Sequence, residues 1–253
     1  MNLHRLQRIL PAVGICLGFC SCATPNPSPL PLPPETTFNL SASQGDWLFV
    51  SAHLQDGKEL VFLVDTGMPW TVFDRSLEPL LGKCLGTRHQ GYEEFDSAMV
   101  RTYQAPQLYL GDTRLRLWKQ VITEDLSRLL VTDYKDSASF QQPISGILGL
   151  DCLKNYCLQL DFTAGKMRFL DPDHLATNDL GRAFPLLHRG GRFYIIDSLA
   201  GTWGTNSWID TGSPNDGTLT PELFDQAIQQ KGTKTKKLKL PNGEISTVAQ
   251  LPA

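Results

Sequence analysis

Phe62-Leu63-Val64-Asp65-Thr66-Gly67 and Ser207-Trp208-Ile209-Asp210-Thr211-Gly212 share one pattern, an apolar strand that ends in Asp-Thr-Gly. One such tripeptide arises by chance in about one chain in twenty of this size, so two copies with the same apolar approach point to duplication. The shift that lays Asp65 on Asp210 also lays Pro69 on Pro214, and Leu48-Phe49-Val50 on Phe193-Tyr194-Ile195. In each copy a strand, a turn (Gln55-Asp56-Gly57 or Ala200-Gly201-Thr202) and a second strand lead into the Asp. A repeat of this length describes two related lobes, not a solenoid array.

Working outward, most runs read as short strands closed by Gly, Asp and Asn turns: Trp47 to Leu54, Leu60 to Val64, Ala98 to Leu110, Leu115 to Ile122, Leu158 to Phe162 and Lys166 to Leu170. Helical signals are few. They cover Ser76 to Leu81, Asp151 to Tyr156, and Pro221 to Gln230, where Thr220 is the N-cap and Pro221 the first helical residue. The expected class is therefore mainly β. Pro, Asp, Asn and Gly cluster near Asp171 to Arg182, which sets lobe one at 37–172 and lobe two at 183–253. Lobe two is expected to be partial, because the chain reaches Ala253 where the counterpart of Val100 to Leu110 is due.

At 253 residues and 41% hydrophobic, the chain can bury a sizeable core. Residues 1–22 read as a signal peptide: Arg5 and Arg8 precede an apolar stretch, Ile9 to Phe19, that is too short to span a bilayer. Losing those two arginines and no acid takes the formal net charge from −3 to −5, which gives no footprint for nucleic acid. Phe19-Cys20-Ser21-Cys22-Ala23 resembles a bacterial lipoprotein signal, and that resemblance implies lipidation at Cys22, the cysteine preceded by small Ser21. The alternative is ordinary secretory cleavage near Ala23. Residues 23–36 form a proline-rich linker in which six of the ten residues from Pro25 to Pro34 are proline. Such a segment is extended and spans on the order of 30 Å at ~3.1 Å per residue, enough to hold a domain clear of a membrane. Of the mature cysteines, Cys84, Cys152 and Cys157, one bridge or none can form; Cys152 and Cys157 match no zinc spacing and read as small buried residues.

The paired apolar-apolar-Asp-Thr-Gly motifs resemble the aspartic proteases, and the features of lobe one are similar to the bacterial retropepsin-like group. Gly146-Ile147-Leu148-Gly149, followed by Leu150-Asp151-Cys152-Leu153, is similar to that family's apolar-apolar-Gly segment; the resemblance implies that Ile147, Leu148 and Gly149 pack behind the catalytic loop. Leu158 to Phe162 and the turn Ala164-Gly165 are similar to its closing hairpin. The implied architecture is a tandem of aspartic-protease-like β-barrel lobes. The resemblance also implies that Thr66 and Thr211 hydrogen-bond across the two loops. Ser213 fills the small position after the motif in lobe two, whereas lobe one departs with Met68.

The residue types explain themselves chemically. Hydrolysing a peptide bond without a metal, a cofactor or a nucleophilic side chain needs one base to activate water and one acid to protonate the carbonyl oxygen and then the amine. Two close carboxylates, Asp65 and Asp210, supply both by sharing one proton, for which aspartic proteases are the standard illustration. Gly67 and Gly212 let the backbone turn and offer N–H groups without a Cβ in the way. Substrate-covering hairpins are expected at Lys236 to Val248, around the turn Pro241-Asn242-Gly243, and at Gly91 to Ser97, with Tyr92 and Phe95 as contacts. The plain surface hairpin is the competing reading of both. Other chemistries lack their motifs: there is no Gly-x-Ser-x-Gly elbow, no His-Glu-x-x-His and no phosphate loop, and His53 and His188 read as surface or edge residues.

The sequence thus reads as an exported, lipid-anchored, periplasmic or cell-surface aspartic endopeptidase acting on peptide or protein substrates. Two alternatives stand beside it. Lobe one pairs with a second copy of itself to give two Asp65 side chains, or the protease fold serves as a non-catalytic surface binding protein.

Overall fold

A computed structural model of the chain describes residues 31–44, 47–92, 95–127, 144–175, 183–189, 191–199, 202–213, 220–231, 234–239 and 245–249. Residues 1–30, with Cys22 and most of the proline-rich stretch, and the turn Pro241-Asn242-Gly243 lie outside them. The strands are β1 (Thr36–Thr37), β2 (Phe49–Leu54), β3 (Glu59–Val64), β4 (Val72–Asp74), β5 (Cys84–Tyr92), β6 (Phe95–Gln104), β7 (Leu108–Leu110), β8 (Thr113–Arg114), β9 (Gln120–Glu124), β10 (Gly146–Leu148), β11 (Cys157–Asp161) and β12 (Lys166–Leu170). After residue 183 come β13 (Leu186–Arg189), β14 (Arg192–Leu199), β15 (Thr202–Trp208), β16 (Thr235–Lys239) and β17 (Ile245–Ala249). The α-helices are α1 (Leu150–Leu153) and α2 (Pro221–Lys231). The fold is mainly β with few helices.

β3 organises the first lobe. It lies inside a nine-stranded sheet of order β5-β6-β9-β4-β10-β3-β2-β7-β8. Its residues Leu60 to Val64 are all buried, and alternation sends them to opposite faces. Leu60, Phe62 and Val64 enter one core cluster with Val50, Phe73, Leu108, Leu148 and Met167. Val61 and Leu63 enter a second with Phe49, Val72, Val100, Ile122 and Ile147. Each large side chain buried this way stabilises the lobe by ~1.5–3 kcal/mol. Behind this sheet β1, β12 and β11 form a three-stranded sheet. There the end of the proline-rich stretch joins the fold, with Glu35 bridging Lys166 at 2.9 Å and Arg168 at 2.6 Å.

After residue 183 the chain forms the antiparallel sheet β13-β14-β15, the hairpin β16-β17 and α2. No described strand before residue 171 pairs with one after residue 182.

Several sequence expectations are corrected. The run Ala98 to Leu110 is two strands, β6 and β7, since Pro106 has no amide to give a ladder and restrains Ala105 before it. The run Leu115 to Ile122 is strand only from Gln120, because the Arg116 amide turns aside to the Tyr156 hydroxyl at 2.8 Å. Helix 151–156 shrinks to α1, where the Asn155 side-chain amide caps the carbonyls of Asp151 and Cys152 at 2.8 and 3.0 Å. Ser76 to Leu81 is a 3-10 turn over Arg75–Leu80, with Asp74 as its cap and Pro79 inside it. β5 carries Gly86, Arg88, His89 and Gln90 and has no strand-like pattern; its pairing with β6 makes it a strand. Cys84, Cys152 and Cys157 are all free, and Cys157 is half-buried at the start of β11, whereas Cys152 is buried in the core.

Candidate active site

The motif Asp65-Thr66-Gly67 begins where β3 stops. β10 lies parallel to β3, pairing Ile147 with Leu63 and Leu148 with Val64, and antiparallel to β4 on its other side. The Leu148 carbonyl accepts from Asp65 N–H at 3.0 Å, so the strand behind the loop fixes where it leaves the sheet. Gly146 and Gly149 are dictated by contact. A Cβ on Gly146 would stand 2.4 Å from both the Phe62 ring and the Val72 carbonyl oxygen, and one on Gly149 would stand 2.4 Å from the Trp70 carbonyl oxygen. Ile147, Leu148 and Gly149 therefore lie against the loop that carries Asp65.

Beyond β10 a pair of side chains missing from the sequence reading closes the back of the loop. Thr71 Oγ1 donates to Asp151 Oδ1 at 2.7 Å and accepts from Gly149 N–H at 3.3 Å. Leu150 and Asp151 N–H groups donate to the carbonyls of Met68 and Pro69. Asp151 is only 5% exposed, and burial pushes its carboxyl above the ordinary range against the pull of Thr71. The available signal was a lone acid inside the apolar run Leu148 to Leu153.

Lobe two brings its own copy to the same place. Thr66 N–H donates to Thr211 Oγ1 at 3.1 Å, and Thr211 N–H donates to Thr66 Oγ1 at 3.0 Å. Each hydroxyl in turn donates across to the opposite strand, Thr66 Oγ1 to Ile209 O at 2.9 Å and Thr211 Oγ1 to Val64 O at 2.7 Å. Both threonines thus accept and donate once, in two-fold symmetry. The glycines sit against the opposite carboxyls: a Cβ on Gly67 would lie 2.5 Å from Asp210 Cγ, and one on Gly212 would lie 2.3 Å from Asp65 Cγ. A side chain at either position would displace the opposite carboxyl.

Asp65 Oδ1 accepts from Gly67 N–H at 2.7 Å and Met68 N–H at 3.0 Å, and Asp210 Oδ1 accepts from Gly212 N–H at 2.9 Å. Burial, then the charge of Asp210, pushes the Asp65 carboxyl up from 3.8 to about 7, while the Gly67 and Met68 amides oppose the rise. A hydrogen bond between the two carboxyls adds to the rise.

No protein-family model matches the chain, and no curated protein does. Among solved structures, it is similar to the retroviral protease-like domain of Ddi1 from Leishmania major. That likeness has 15% sequence identity and a TM-score of 0.32, over 51% of this chain and 98% of that one.

Where the sequence predicts a covering hairpin, at Gly91 to Ser97, β5 and β6 form a hairpin whose backbone pairs Tyr92 with Phe95. The side chains of Tyr92 and Phe95 lie outside the described residues. In lobe two the strands β16 and β17 form the expected hairpin, pairing Lys239 with Ile245, and Lys236 and Lys237 face solvent. Ser213 follows the second motif, its N–H 3.4 Å from the Asp210 carbonyl oxygen. Among the described residues no three His, Cys, Asp or Glu side chains converge as metal ligands.

Proposed function

We propose that this chain is an aspartic-type endopeptidase in which Asp65 and Asp210 act as one pair. The observation that carries the reading is the reciprocal set of Thr66 and Thr211 hydrogen bonds, with Gly67 and Gly212 each against the opposite carboxyl. That arrangement places two acids where they cannot both ionise cheaply, so they hold one proton between them. The ionised member takes a proton from water as its oxygen attacks the peptide carbonyl, and the protonated member gives its proton to the carbonyl oxygen. Collapse of the tetrahedral intermediate breaks the C–N bond, with the amine taking up a proton from the pair. The proton belongs to the pair, and neither role is fixed to Asp65 or Asp210 alone.

The same threonine bonds favour the single-chain pair over two copies of lobe one, because the partner loop is already supplied within the chain. The test is Asp65→Asn and Asp210→Asn, each assayed on a mixture of unfolded proteins at mildly acidic pH. Each variant is expected to lose hydrolysis by at least about a hundredfold while keeping its circular dichroism spectrum. Near wild-type turnover by Asp210→Asn would sink the intrachain pair and leave the homodimer of lobe one as the better account. On the strength of the Arg5, Arg8, Cys22 and proline-linker sequence, we also propose export and lipid anchoring through Cys22.

A further inference from the structure

Arg88 is a basic side chain of the β5-β6 hairpin that reaches the segment following Asp65. In the β5-β6 hairpin Arg88 lies opposite Val100, while its neighbours Thr87 and His89 lie opposite Arg101 and Met99. Thr87, His89, Met99 and Arg101 are exposed, and Val100 is buried in the core cluster against which Met68 and Trp70 pack. Arg88 therefore points from the inner face of the hairpin toward the segment that follows Asp65. There its guanidinium lies over the Trp70 ring, 4.5 Å from the centroid.

Two other arginines in this part of the chain have carboxylate partners. Arg101 meets Glu78 at 2.7 Å, and Arg168 meets Glu35 at 2.6 Å and Asp161 at 3.1 Å. Arg88 meets none among the described residues, and its Nε is buried with no hydrogen-bond partner. The gain from a guanidinium on an indole and the cost of an orphaned buried N–H are of the same order, so the arrangement is not explained by stability alone. Stacking fixes the guanidinium plane, and Arg88 is half-buried, not sealed off; an acceptor lying in that plane is what a carboxylate supplies, with two parallel bonds.

We propose that Arg88 is a specificity-determining residue that receives a carboxylate of the peptide substrate, an acidic side chain near the scissile bond. This rests on the endopeptidase reading for its context. The Arg88 edge and the Asp65 loop then read one bound peptide from two sides, Arg88 fixing its register and the acid pair cutting it.

The test has a kinetic arm and a binding arm. In the first, the full chain cleaves matched peptides that differ only by Glu or Gln at each position flanking the cut. An acid at one position should raise kcat/KM by about tenfold, mainly through KM, and Arg88→Gln should bring the Glu-to-Gln ratio to about one. Arg88→Glu should turn the preference toward Lys. If only a peptide ending in a free carboxylate responds to Arg88, the acceptor is the C-terminus and the side-chain assignment is overturned. A Glu-to-Gln ratio equal in wild type and Arg88→Gln overturns it too, whatever happens to the absolute rate through the hairpin. In the second arm, calorimetry on Asp65→Asn compares the same peptides. About tenfold tighter binding of the Glu peptide, abolished by adding Arg88→Gln, is expected; equal binding, or none, overturns the assignment. Arg88-dependent binding by a wild type that cleaves nothing would remove the protease reading and keep the recognition site. Cleavage without acid preference would do the reverse.

Discussion

Asp65 feels opposed influences: burial and the neighbouring Asp210 raise its affinity for a proton, the Gly67 and Met68 amides lower it, and the result is about 7 instead of 3.8. A folded pKa raised above the unfolded one means that the native state prefers the neutral carboxyl. The associated stability is full below the ordinary carboxylate range and is lost as pH rises through about 7. At ~1.4 kcal/mol per pKa unit the swing is a few kcal/mol. His53 acts with the same sign. Its two ring nitrogens lie 2.8 Å from the carbonyl oxygens of Leu54 and Gly111, so only the imidazolium can donate to both, and its pKa is raised. Its contribution is present below its unfolded pKa and is lost as pH climbs through the folded one. Asp65→Asn removes the first effect and keeps the second. Its melting temperature should therefore match wild type near about pH 4 and exceed it by several degrees near about pH 8. Thermal melts of the two proteins that run parallel across that range would show that the pair carries no such charge burden. On the endopeptidase reading, the same loss of the shared proton should put the upper limb of the rate profile near pH 7.

The elements around the pair explain why the motif alone is not enough. β10 and α1 form a wedge behind the Asp65 loop, and the wedge closes only because Gly149 brings its backbone against the Trp70 and Met68 carbonyls. Gly149→Ala would set a methyl 2.4 Å from a backbone oxygen that cannot swing away, as a flexible side chain would. Overpacking of this kind costs about 1–3 kcal/mol, and here it also pushes Asp65 out of line. Urea unfolding should show that loss, together with a fall in hydrolysis larger than the lost stability accounts for; an unchanged midpoint would remove the wedge from the account. Asp65, Asp210 and the two glycines were legible in the sequence because the chemistry needs those residue types and the repeat shows them twice. Gly146 to Gly149 was legible through resemblance. Thr71, Asp151, Trp70 and Arg88 were not, since each gains its meaning from a partner far along the chain: Thr71 and Asp151 are 80 residues apart. β5 escaped for a related reason. Its polar, glycine-containing run carries no period of two, and the register that makes it a strand belongs to β6.

Across the whole molecule the apolar burial is uneven. The buried apolar side chains run from Phe38 to Phe169, and among the described residues after 183 only Ala227 joins them. Leu186 and Ile196 in the β13-β14 pair stand 55% and 43% exposed. At the opposite end of the chain, anchoring through Cys22 predicts that Cys22→Ser moves the protein from the membrane pellet to the soluble fraction, with no lipid mass on its N-terminal peptide; equal membrane association in that variant would leave simple secretion. The contrast between the lobes makes a further prediction. The lobe two loop is tied to lobe one by the four Thr66 and Thr211 hydrogen bonds, each worth ~0.5–1.5 kcal/mol net, whereas the lobe one loop rests on two core clusters. Opening energies follow burial, so β14 and β15 should exchange their amide hydrogens well before β3 and β10 do. Thr211→Val keeps the shape and removes its hydroxyl's bonds; it should speed exchange in β15 with little change in β3. Hydrogen exchange read by mass spectrometry resolves both elements in one experiment. Equal protection in β3 and β15 would mean that lobe two holds itself together, and the threonine bonds would then serve the geometry of the acid pair and not its stability.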